Sequence, residues 1–535
     1  MLEHIQRNHD TVPEHGLYLY EKFAGTPEFV SYREFPERIA AYADHFRAHG
    51  VGPGTRVIVP FETSSTVILS FFALMEVGAV PLSVKPLLPH SPKAGYEDFL
   101  GRVAGEFAAA AVLQTPSLGT VDLPLTRLPL PRPELRKPAA RLRVPDAEEI
   151  AFVQFSSGST SFPKGIPITQ GRLRANLAMI VRTDGRGVED RVSSWLPLYH
   201  DMGLVGGMLS CFAVGGDLLL AEPATFLFDA PGWWAHLARE RIVGTVVPNF
   251  AVDYSLRLMR DLEADELAEL DLSALHVIYL GSEPINIRNL EEFLALMAPA
   301  GLRDDVFMPC YGMAETVLVV TSRPRGGRVR IVRSPSGLPA ISVGPPMPEF
   351  TVRLRTEDGS VCREGRLGEI ELAGGTLADS YLDDARPLAG PDGFYATGDI
   401  GFVDGGELFI TGRIGDRIKV NGQSLFAADF EQALEQLAFV RRVAVAQSGG
   451  RIVVLTEADR TARTDPDGCR ARIAEHLVHA TGVTVRPADV HFLRPGRLLR
   501  TSSGKLQRRA IVRAFENGDF SEAPPPREPL CDIPT

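Results

Sequence analysis

Residues 150–165 read IAFVQFSSGSTSFPKG, an apolar run followed by ten residues rich in serine, threonine and glycine. The apolar half predicts a buried strand, because it carries no charge and is rich in β-branched and aromatic side chains. Backbone N–H groups in a glycine- and serine-rich turn can converge on phosphate oxygens, and hydroxyl groups add further donors. Lys164 supplies a positive charge for the same anion. The segment therefore predicts a phosphate-binding loop after a strand, with a polyphosphate as the expected ligand.

This loop differs from the nucleotide-binding P-loop, in which the lysine is followed by Ser or Thr. Here Lys164 is preceded by Phe-Pro and followed by Gly-Ile. A solvent-exposed polar turn is the alternative interpretation of these ten residues. The rest of the chain has to show which nucleotide is bound and for which reaction.

Apolar strands and amphipathic helices alternate on both sides of the loop. On its N-terminal side, residues 56–61, 64–79 and 80–84 read as strand, helix and strand. On its C-terminal side, the sequence continues with DLLLA, WWAHLARERI, GTVVPNF and LHVIYLGSEPI. Such alternation predicts βαβ units and a mostly parallel sheet.

The pattern changes from about residue 350, where FTVRLRTEDGS, LGEIELAG and GELFITGR alternate like antiparallel strands. After Gly412 a new set of short strands and helices begins, as expected for a small separate domain. We therefore predict a large N-terminal α/β domain (1–412), with parallel-type sheets, helices and a β-rich subdomain. A small mobile α+β domain (413–515) and a flexible tail (516–535) follow.

Composition excludes several classes of function. The 535 residues are too many for one compact core. A net charge of −11 argues against non-specific binding to nucleic acid or an anionic membrane. The most apolar run is interrupted by Glu76, Gly78 and Pro81, so we expect no membrane insertion. The N-terminal residues MLEHIQRNHD lack the apolar core of a secretory signal.

The cysteines indicate a reducing compartment. They are few, widely separated and odd in number, at Cys211, Cys310, Cys362, Cys469 and Cys531. This spacing suggests neither a disulfide framework nor a zinc site. We therefore expect free thiols in a cytoplasmic protein.

Six motifs downstream of the loop make a family resemblance specific by their joint order. They are SWLPLYHDMG (194–203), YLGSEPI (279–285), CYGMAET (310–316), YATGDIG (395–401), TGRIGDRIKVNG (411–422) and RTSSGKLQRRA (500–510). Together with the loop they resemble the adenylate-forming superfamily, which includes acyl-CoA synthetases, luciferases and the adenylation domains of peptide synthetases. The resemblance implies that ATP and Mg²⁺ are used to convert a carboxylic acid into an acyl-adenylate, with release of pyrophosphate.

Within that superfamily the chain is most similar to the fatty acyl-AMP ligases, through LPLYHDMGL, PNFAVDYS (248–255), GSEP and FMPCYGMAE. This resemblance implies a fatty or related acyl acid, and transfer of the acyl group to an acyl carrier protein in trans. Two features depart from the family pattern: Ser161 replaces a usual glycine, and the segment 317–343 is shorter than expected. An acyl- or aryl-CoA ligase is therefore the alternative, and a non-catalytic nucleotide- or acyl-binding module is a third reading.

The resemblance also implies roles for individual residues. Glu315 is expected to hold Mg²⁺, with Thr160 as a further candidate ligand. Asp399 is expected to accept hydrogen bonds from the ribose hydroxyl groups, and Tyr311 to stack on adenine. The full set of expected ATP- and AMP-binding residues is Ser157, Gly158, Ser159, Thr160, Lys164, Gly281, Ser282, Glu283, Tyr311, Gly312, Met313, Thr316, Asp399 and Arg413.

Catalytic roles are implied for Lys505 and His200 besides Glu315. Lys505 is expected to contact the substrate carboxylate and the α-phosphate, although a solvated surface lysine is the alternative because Arg508 and Arg509 follow it. His200 is expected at the carboxylate end of the acyl pocket, with a helix-capping histidine as the alternative.

The acyl pocket and the hinge complete these expectations. Candidate walls of an apolar acyl pocket are Trp195, Tyr199, Asn249 and Phe250, for which ordinary core packing is the alternative. The resemblance places a hinge between Arg413 and Asp416, with Gly415 at the pivot. Rotation there is expected to withdraw Lys505 and admit the phosphopantetheine thiol of a carrier protein or of CoA.

Overall fold

A computed structural model describes residues 1–88, 92–119, 121–138, 141–156, 162–420, 423–499 and 506–520 of the chain. Its first part contains four helices and eight strands. They are α1 (Leu2–Thr11), β1 (Gly16–Tyr20), β2 (Glu28–Ser31), α2 (Glu34–Ala48), β3 (Arg56–Pro60), α3 (Ser65–Val77), β4 (Val80–Val84), α4 (Lys93–Glu106), β5 (Ala111–Gln114), β6 (Thr126–Pro129), β7 (Ile150–Phe155) and β8 (Gly165–Thr169). A six-stranded sheet has the order β6-β5-β3-β4-β7-β8 and is parallel except for the hairpin β7–β8.

Helix α3 begins and ends at the signals that the sequence contains for it. The side chain of Ser64 caps its first turn, and Gly78 ends it in the left-handed conformation at φ +84°. A helix that is apolar on all sides is buried on all sides, and all but two of the 13 residues of α3 are indeed buried. Phe71 packs against Phe152 of β7, and Phe72 packs against Phe212 of the next layer. The predicted strand–helix–strand unit β3–α3–β4 is confirmed.

The second part builds an eight-stranded sheet with the order β14-β13-β12-β11-β9-β10-β1-β2, in which the strands from β13 to β1 run parallel. Its elements are α5 (Gln170–Asp184), β9 (Val192–Ser194), a π-helix (Met202–Leu209), α6 (Ser210–Val214), β10 (Leu218–Ala221), α7 (Pro223–Phe228), α8 (Ala230–Arg239), β11 (Gly244–Pro248), α9 (Asn249–Met259), α10 (Ala264–Ala268), β12 (Val277–Gly281), α11 (Ile287–Met297), β13 (Phe307–Gly312) and β14 (Val319–Ser322). The predicted α/β class, with mostly parallel sheets and helices, is confirmed.

A β-rich region follows, as the change of pattern near residue 350 predicts. It contains β15 (Ile331–Arg333), β16 (Pro339–Ile341), β17 (Phe350–Arg355), β18 (Gly368–Gly374), β19 (Tyr395–Asp404) and β20 (Glu407–Arg413). Strands β17 to β20 form an antiparallel sheet in chain order.

The C-terminal part has an apolar core of its own, which includes Phe430, Val454 and Ile473. Its elements are β21 (Arg417–Val420), β22 (Gln423–Phe426), α12 (Ala427–Leu434), β23 (Val440–Ser448), β24 (Arg451–Ala458), α13 (Thr461–Thr464), α14 (Pro466–Thr481), β25 (Val490–Leu493) and α15 (Arg508–Glu516). This mixture of short strands and helices matches the predicted α+β character. A short 3₁₀ turn, Ile414–Asp416, connects it to β20.

The described part of the chain contains no helix that is both long and apolar enough to cross a bilayer. The four cysteines within it, Cys211, Cys310, Cys362 and Cys469, are free thiols.

Candidate active site

A cleft of about 1810 Å³ lies between the large N-terminal part and the C-terminal elements. Its walls include the carboxyl ends of β11, β12 and β13, the β19–β20 ribbon and helix α12. Ligands of open α/β sheets bind outside the carboxyl ends of the strands. Residues from all six motifs identified in the sequence line this cleft, which is therefore the candidate active site.

Glu315 lies in a 3₁₀ turn, Ala314–Thr316, directly after β13. Its Oε1 accepts a 3.1 Å hydrogen bond from the hydroxyl group of Tyr381. The ring of Tyr381 in turn holds the ammonium group of Lys164 over its face, 4.2 Å from the ring centre, in a cation–π contact. Burial raises the pKa of Glu315 above its ordinary value, although the Tyr381 hydrogen bond and the charge of Lys164 oppose this rise.

These features suit a divalent cation. A buried carboxylate whose pKa is raised by burial is stabilised in its ionised form by a nearby positive charge. No group of three His, Cys, Asp or Glu side chains forms a ready-made metal site in the described ranges. Glu315 could hold a Mg²⁺ ion together with phosphate oxygens of a ligand, a common combination of ligands for this ion.

Asp399, on β19, is the centre of a second polar cluster. Its Oδ2 accepts a 2.7 Å hydrogen bond from the hydroxyl group of Tyr311, and its Oδ1 accepts a 2.7 Å hydrogen bond from Nε of Arg413. The charge of Asp399 raises the pKa of Arg413, and burial raises the pKa of Tyr311 well above its usual range. A fixed carboxylate, an aromatic ring and a guanidinium thus meet at one wall of the cleft.

His200 and Asp201 stand at the entry to the π-helix Met202–Leu209. Nδ1 of His200 lies 2.8 Å from Oδ1 of Asp201, and this oxygen also accepts the N–H of Met202 at 2.7 Å. The chain is tightly packed here, since a Cβ on Gly203 would lie 2.3 Å from the carbonyl oxygen of Pro197. The π-helix is a rare form that is frequently found at functional sites. His200 lines the cleft and at the same time contacts the first turn of this helix.

The segment after β12 is strained. Ser282 has a φ of +70°, a conformation that costs a non-glycine residue about 1–3 kcal/mol. Glu283 uses its Oε2 to accept the N–H of Phe250 at 3.2 Å, and so fixes the start of α9. Gly281 lies close to Cys310, where a Cβ would be 3.2 Å from Sγ. All three residues of this segment line the cleft, as the resemblance implied for a nucleotide site.

The residues around Glu315 divide between the cleft and the core. Gly312 and Met313 line the cleft, and a Cβ on Gly312 would lie 1.6 Å from the carbonyl oxygen of Leu318. Thr316 is buried, and its hydroxyl group donates to the carbonyl of Met313 at 2.9 Å, so it serves the turn itself. Val317 follows with a φ of +74°.

The four candidate acyl-pocket residues also divide. Asn249 and Phe250 line the cleft, whereas Trp195 and Tyr199 do not appear among its described lining residues. Trp195 is buried and stacks on Phe226 with ring centres 4.0 Å apart, so it packs in the core beneath Phe250. Core packing, the alternative reading, therefore describes the placement of Trp195. Apolar residues also line the cleft, and a Cβ on Gly206 would lie within 4 Å of both Leu318 and Val246. We refer to this apolar part of the lining as the apolar lobe, which comprises Ile180, Gly206, Val246, Tyr279, Leu318 and Val343.

Two polar residues of the cleft were missed by sequence reasoning. Tyr381 lies in ADSYLDD, a stretch with no pattern that marks it. Asp253 accepts hydrogen bonds from Nδ2 of Asn249 at 2.8 Å and from Nδ2 of Asn289 at 2.9 Å. Burial raises its pKa from 3.8 to about 6, and the charge of Glu283 adds to this effect. The signal that could have found it is its position one helical turn after Asn249.

Several predicted site residues lie outside the described residues, namely Ser157, Gly158, Ser159, Thr160 and Lys505. The flanks of the phosphate loop are described. They form the hairpin β7–β8, in which Oγ of Ser156 accepts the N–H of Lys164 at 3.1 Å. The hinge candidates Gly415 and Asp416 lie in the 3₁₀ turn between β20 and β21 and line the cleft.

Comparisons with known proteins agree with this geometry. The profile of the AMP-binding enzyme family matches residues 6–382. A putative fatty-acid–CoA ligase, fadD21, from Mycobacterium leprae is 29% identical over 562 residues, which cover 94% of this chain and 95% of that protein. The long-chain-fatty-acid–AMP ligase FadD26 of Mycobacterium marinum is 27% identical over 560 residues, which cover 93% of each chain.

Solved structures give the same result. A fatty acyl-adenylate ligase structure, from work on the enzymes of E. coli and L. pneumophila, superposes with a TM-score of 0.85 at 25% identity, covering 97% of this chain and 98% of that one. The McyG A-PCP structure complexed with phenylalanyl-adenylate, at 22% identity, shares the fold with a TM-score of 0.84, covering 97% and 95%. Because the family profile matches well over half of the chain, this protein belongs to the AMP-binding enzyme family and is an adenylate-forming ligase.

Proposed function

We propose that the chain activates a fatty or related acyl acid as its acyl-adenylate and then passes the acyl group to the phosphopantetheine thiol of a separate acyl carrier protein. One observation carries this proposal. The Lys164–Tyr381–Glu315 group, the Tyr311–Asp399–Arg413 cluster and the apolar lobe all open into the same cleft. Groups for phosphate, for a nucleoside and for an alkyl tail are thus within one site.

In the first step a carboxylate oxygen of the acid attacks the α-phosphorus of ATP. A new P–O bond forms between the acid and the α-phosphorus. The bond from the α-phosphorus to the oxygen that bridges to the β-phosphate breaks, and pyrophosphate leaves with the electron pair of that bond. Both reactants are anionic, and two unit charges about 4 Å apart interact by roughly 4 kcal/mol at an effective dielectric near 20. Positioned cations therefore govern the rate. We assign this role to Lys505 for the carboxylate and α-phosphate, and to Lys164 in the phosphate loop.

Recognition of the nucleotide falls to the second cluster. Asp399 retains free lone pairs beside those used by Tyr311 and Arg413, and these can accept the ribose hydroxyl groups. Tyr311 offers its ring to the adenine. Glu315 would hold Mg²⁺, which would supply positive charge to the phosphate oxygens, and the position of Glu315 in the cleft beside Tyr381 and Lys164 supports this assignment.

In the second step the thiol attacks the acyl carbon, the thiol proton is lost, and AMP leaves. Lys505 has to withdraw before the thiol can enter, and we propose that residues 413–515 rotate as a lid about Gly415 and Asp416 against residues 1–412. The acceptor in this proposal is a carrier protein that acts in trans.

CoA is the alternative acceptor. The name of the fadD21 relative, a putative fatty-acid–CoA ligase, and the short segment 317–343 support it. Both acceptors present the same phosphopantetheine thiol, so the first step is common to the two proposals.

The decisive experiment is product mass spectrometry with the pure protein, ATP, Mg²⁺ and a broad panel of carboxylic acids. Each reaction is divided between free CoA and a phosphopantetheinylated carrier protein. We expect acyl-carrier product without acyl-CoA. Acyl-CoA at a comparable rate would establish the CoA ligase instead. No adenylate with any acid would overturn the proposal in favour of a nucleotide- or acyl-binding module.

A further inference from the structure

Arg508 bridges two carboxylates from different segments of the C-terminal part. Its Nη1 donates to Oδ2 of Asp416 at 2.8 Å, its Nε donates to Oε1 of Glu431 at 3.1 Å, and its Nη2 also contacts Glu431. Oε1 of Glu431 accepts in addition the N–H of Val445 at 2.9 Å, which ties α12 to β23. Charge-assisted hydrogen bonds from one planar guanidinium to two carboxylates fix the orientation of both carboxylates.

The two carboxylates occupy different places in the fold. The Glu431 side chain is 8% exposed and belongs to the body of the C-terminal part, whereas Asp416 is 22% exposed and ends the 3₁₀ turn that connects β20 to β21. Arg508 is the first residue of α15, and Leu506, two positions before it, lines the cleft. One side chain therefore joins the connecting turn, the C-terminal body and the segment that reaches the cleft.

We propose that Arg508 is a positioning residue for adenylation. Its bridge between Asp416 and Glu431 holds the connecting turn at the angle that places Leu506 at the cleft. This rests on the proposed function, which assigns the catalytic lysine to position 505. When the lid rotates for the transfer step, the Asp416 arm of the bridge opens, while the Glu431 arm stays within the C-terminal body.

A lysine at position 508 distinguishes this role from a general effect of charge. Lysine keeps the positive charge but lacks the planar fork, so it cannot hold both carboxylates in fixed directions. Arg513 provides a matched control, because it lies on the same helix and is exposed. The comparison therefore uses full-length Arg508→Lys, Asp416→Asn, the double variant and Arg513→Lys.

Three measurements are made on each protein. The first is ATP–pyrophosphate exchange with an accepted acid, which reports adenylation. The second is single-turnover transfer from isolated acyl-adenylate to a carrier thiol, which bypasses adenylation. The third is amide hydrogen exchange over residues 414–420, together with thermal unfolding, and this one needs no substrate.

Misplacement of about 1 Å costs about 100-fold in rate. For Arg508→Lys we therefore expect adenylation kcat to fall about 10- to 100-fold, with KM for ATP and acid unchanged, since those sites lie on the large domain. Transfer from preformed adenylate should be undiminished, and amide exchange in the connecting turn should rise. Asp416→Asn should act in the same direction, the double variant should be no worse than the stronger single one, and Arg513→Lys should match the wild type.

Equal losses in adenylation and transfer would overturn the proposal, because they would show a purely structural role. The proposal would also be overturned if adenylation by Arg508→Lys were unchanged. The same holds if its amide exchange over residues 414–420 equalled that of Arg513→Lys. If the wild-type protein itself forms no adenylate, the proposed function fails, and the exchange measurement alone then decides whether Arg508 restrains the turn.

Discussion

The hydroxyl group of Tyr381 donates a 3.1 Å hydrogen bond to the carboxylate of Glu315. This bond stabilises the ionised acid, whose pKa burial otherwise raises. Tyr381 is therefore more than a wall residue, because its hydrogen bond favours the ionised form of Glu315, the form that a cation would bind.

Removal of this hydroxyl group should shift the pH dependence of adenylation. In Tyr381→Phe the pKa of Glu315 rises further, so the acidic limb of kcat/KM against pH should move to higher pH, and saturation with Mg²⁺ should need a higher concentration. Pyrophosphate exchange at a series of pH values checks this. Tyr18→Phe, remote from the cleft, is the control. An unmoved acidic limb would show that Tyr381 does not act on Glu315.

Loss of the Asp399 charge should weaken nucleotide binding more than catalysis. Asp399→Asn replaces one acceptor oxygen with a donor, which then faces either Tyr311 or Arg413. A hydrogen bond to a charged group contributes about 1.5–3 kcal/mol, so KM for ATP should rise at least about tenfold. Steady-state kinetics with varied ATP measures this, with Asp358→Asn, at an exposed acid outside the described lining of the cleft, as the control. A fall in kcat at unchanged KM would contradict ribose recognition by Asp399.

The buried Asp253 should make stability depend on pH. Its pKa in the folded protein is raised from 3.8 to about 6, so the folded state binds the proton more tightly than the unfolded state. Its contribution to stability is therefore present below pH 4 and is lost as the pH rises through about 6. Asn does not titrate, so Asp253→Asn does not lose stability in this way. The free energy of unfolding of the variant minus that of the wild type should therefore increase, as the pH rises from 4 through about 6, by up to about 3 kcal/mol.

Denaturant unfolding of both proteins at pH 4, 5, 6 and 7 tests this expectation. Asp261→Asn, an exposed acid near the end of the same helical region, provides the control and should show no such trend. A difference between Asp253→Asn and wild type that stays constant with pH would show that the pKa of Asp253 is not raised.

The apolar lobe should set the length of the accepted acid. A Cβ on Gly206 would lie 3.0 Å from Cδ2 of Leu318 and 3.8 Å from Cγ1 of Val246, so Gly206→Val narrows the lobe. kcat/KM should fall about fourfold for each methylene group excluded, while the shortest accepted acids are unaffected. Leu318→Ala should act in the opposite direction. Measurement of kcat/KM across a series of straight-chain acids checks both variants. A loss of kcat/KM that is equal at all chain lengths would show that the tail of the acid does not bind in the apolar lobe.

Much of this architecture could be predicted because local signals and tertiary structure agree. The capped, apolar helix α3 and its flanking strands have start and stop signals within a few residues. Glu315, Tyr311, Asp399 and Arg413 could be selected because each lies in a short motif, and the structure brings them to one cleft. Their mutual contacts could not be predicted, since Tyr311 and Asp399 are 88 residues apart in the chain.

The residues that were missed, and those that the structure places outside the described lining of the cleft, depend on packing between distant segments. Tyr381 meets Glu315 across 66 residues, and neither neighbourhood indicates the other. Trp195 lies within a family motif, yet its stacking on Phe226 directs it into the core. Whether an aromatic side chain near a pocket faces ligand or core is decided by its partner, which a local pattern does not contain.

The number of residues in the π-helix Met202–Leu209 determines the direction in which its side chains point, as well as the length of the segment. Each residue of an α-helix turns the chain by about 100°, so one residue more or fewer in this segment changes which side chains face the lobe by that angle. A single-residue deletion that converts it to an α-helix would turn Gly206 away from Leu318 while leaving the strands on both sides in register. Related chains could therefore acquire a differently shaped lobe through a change of length at this one place, with no substitution at any residue that contacts the acid.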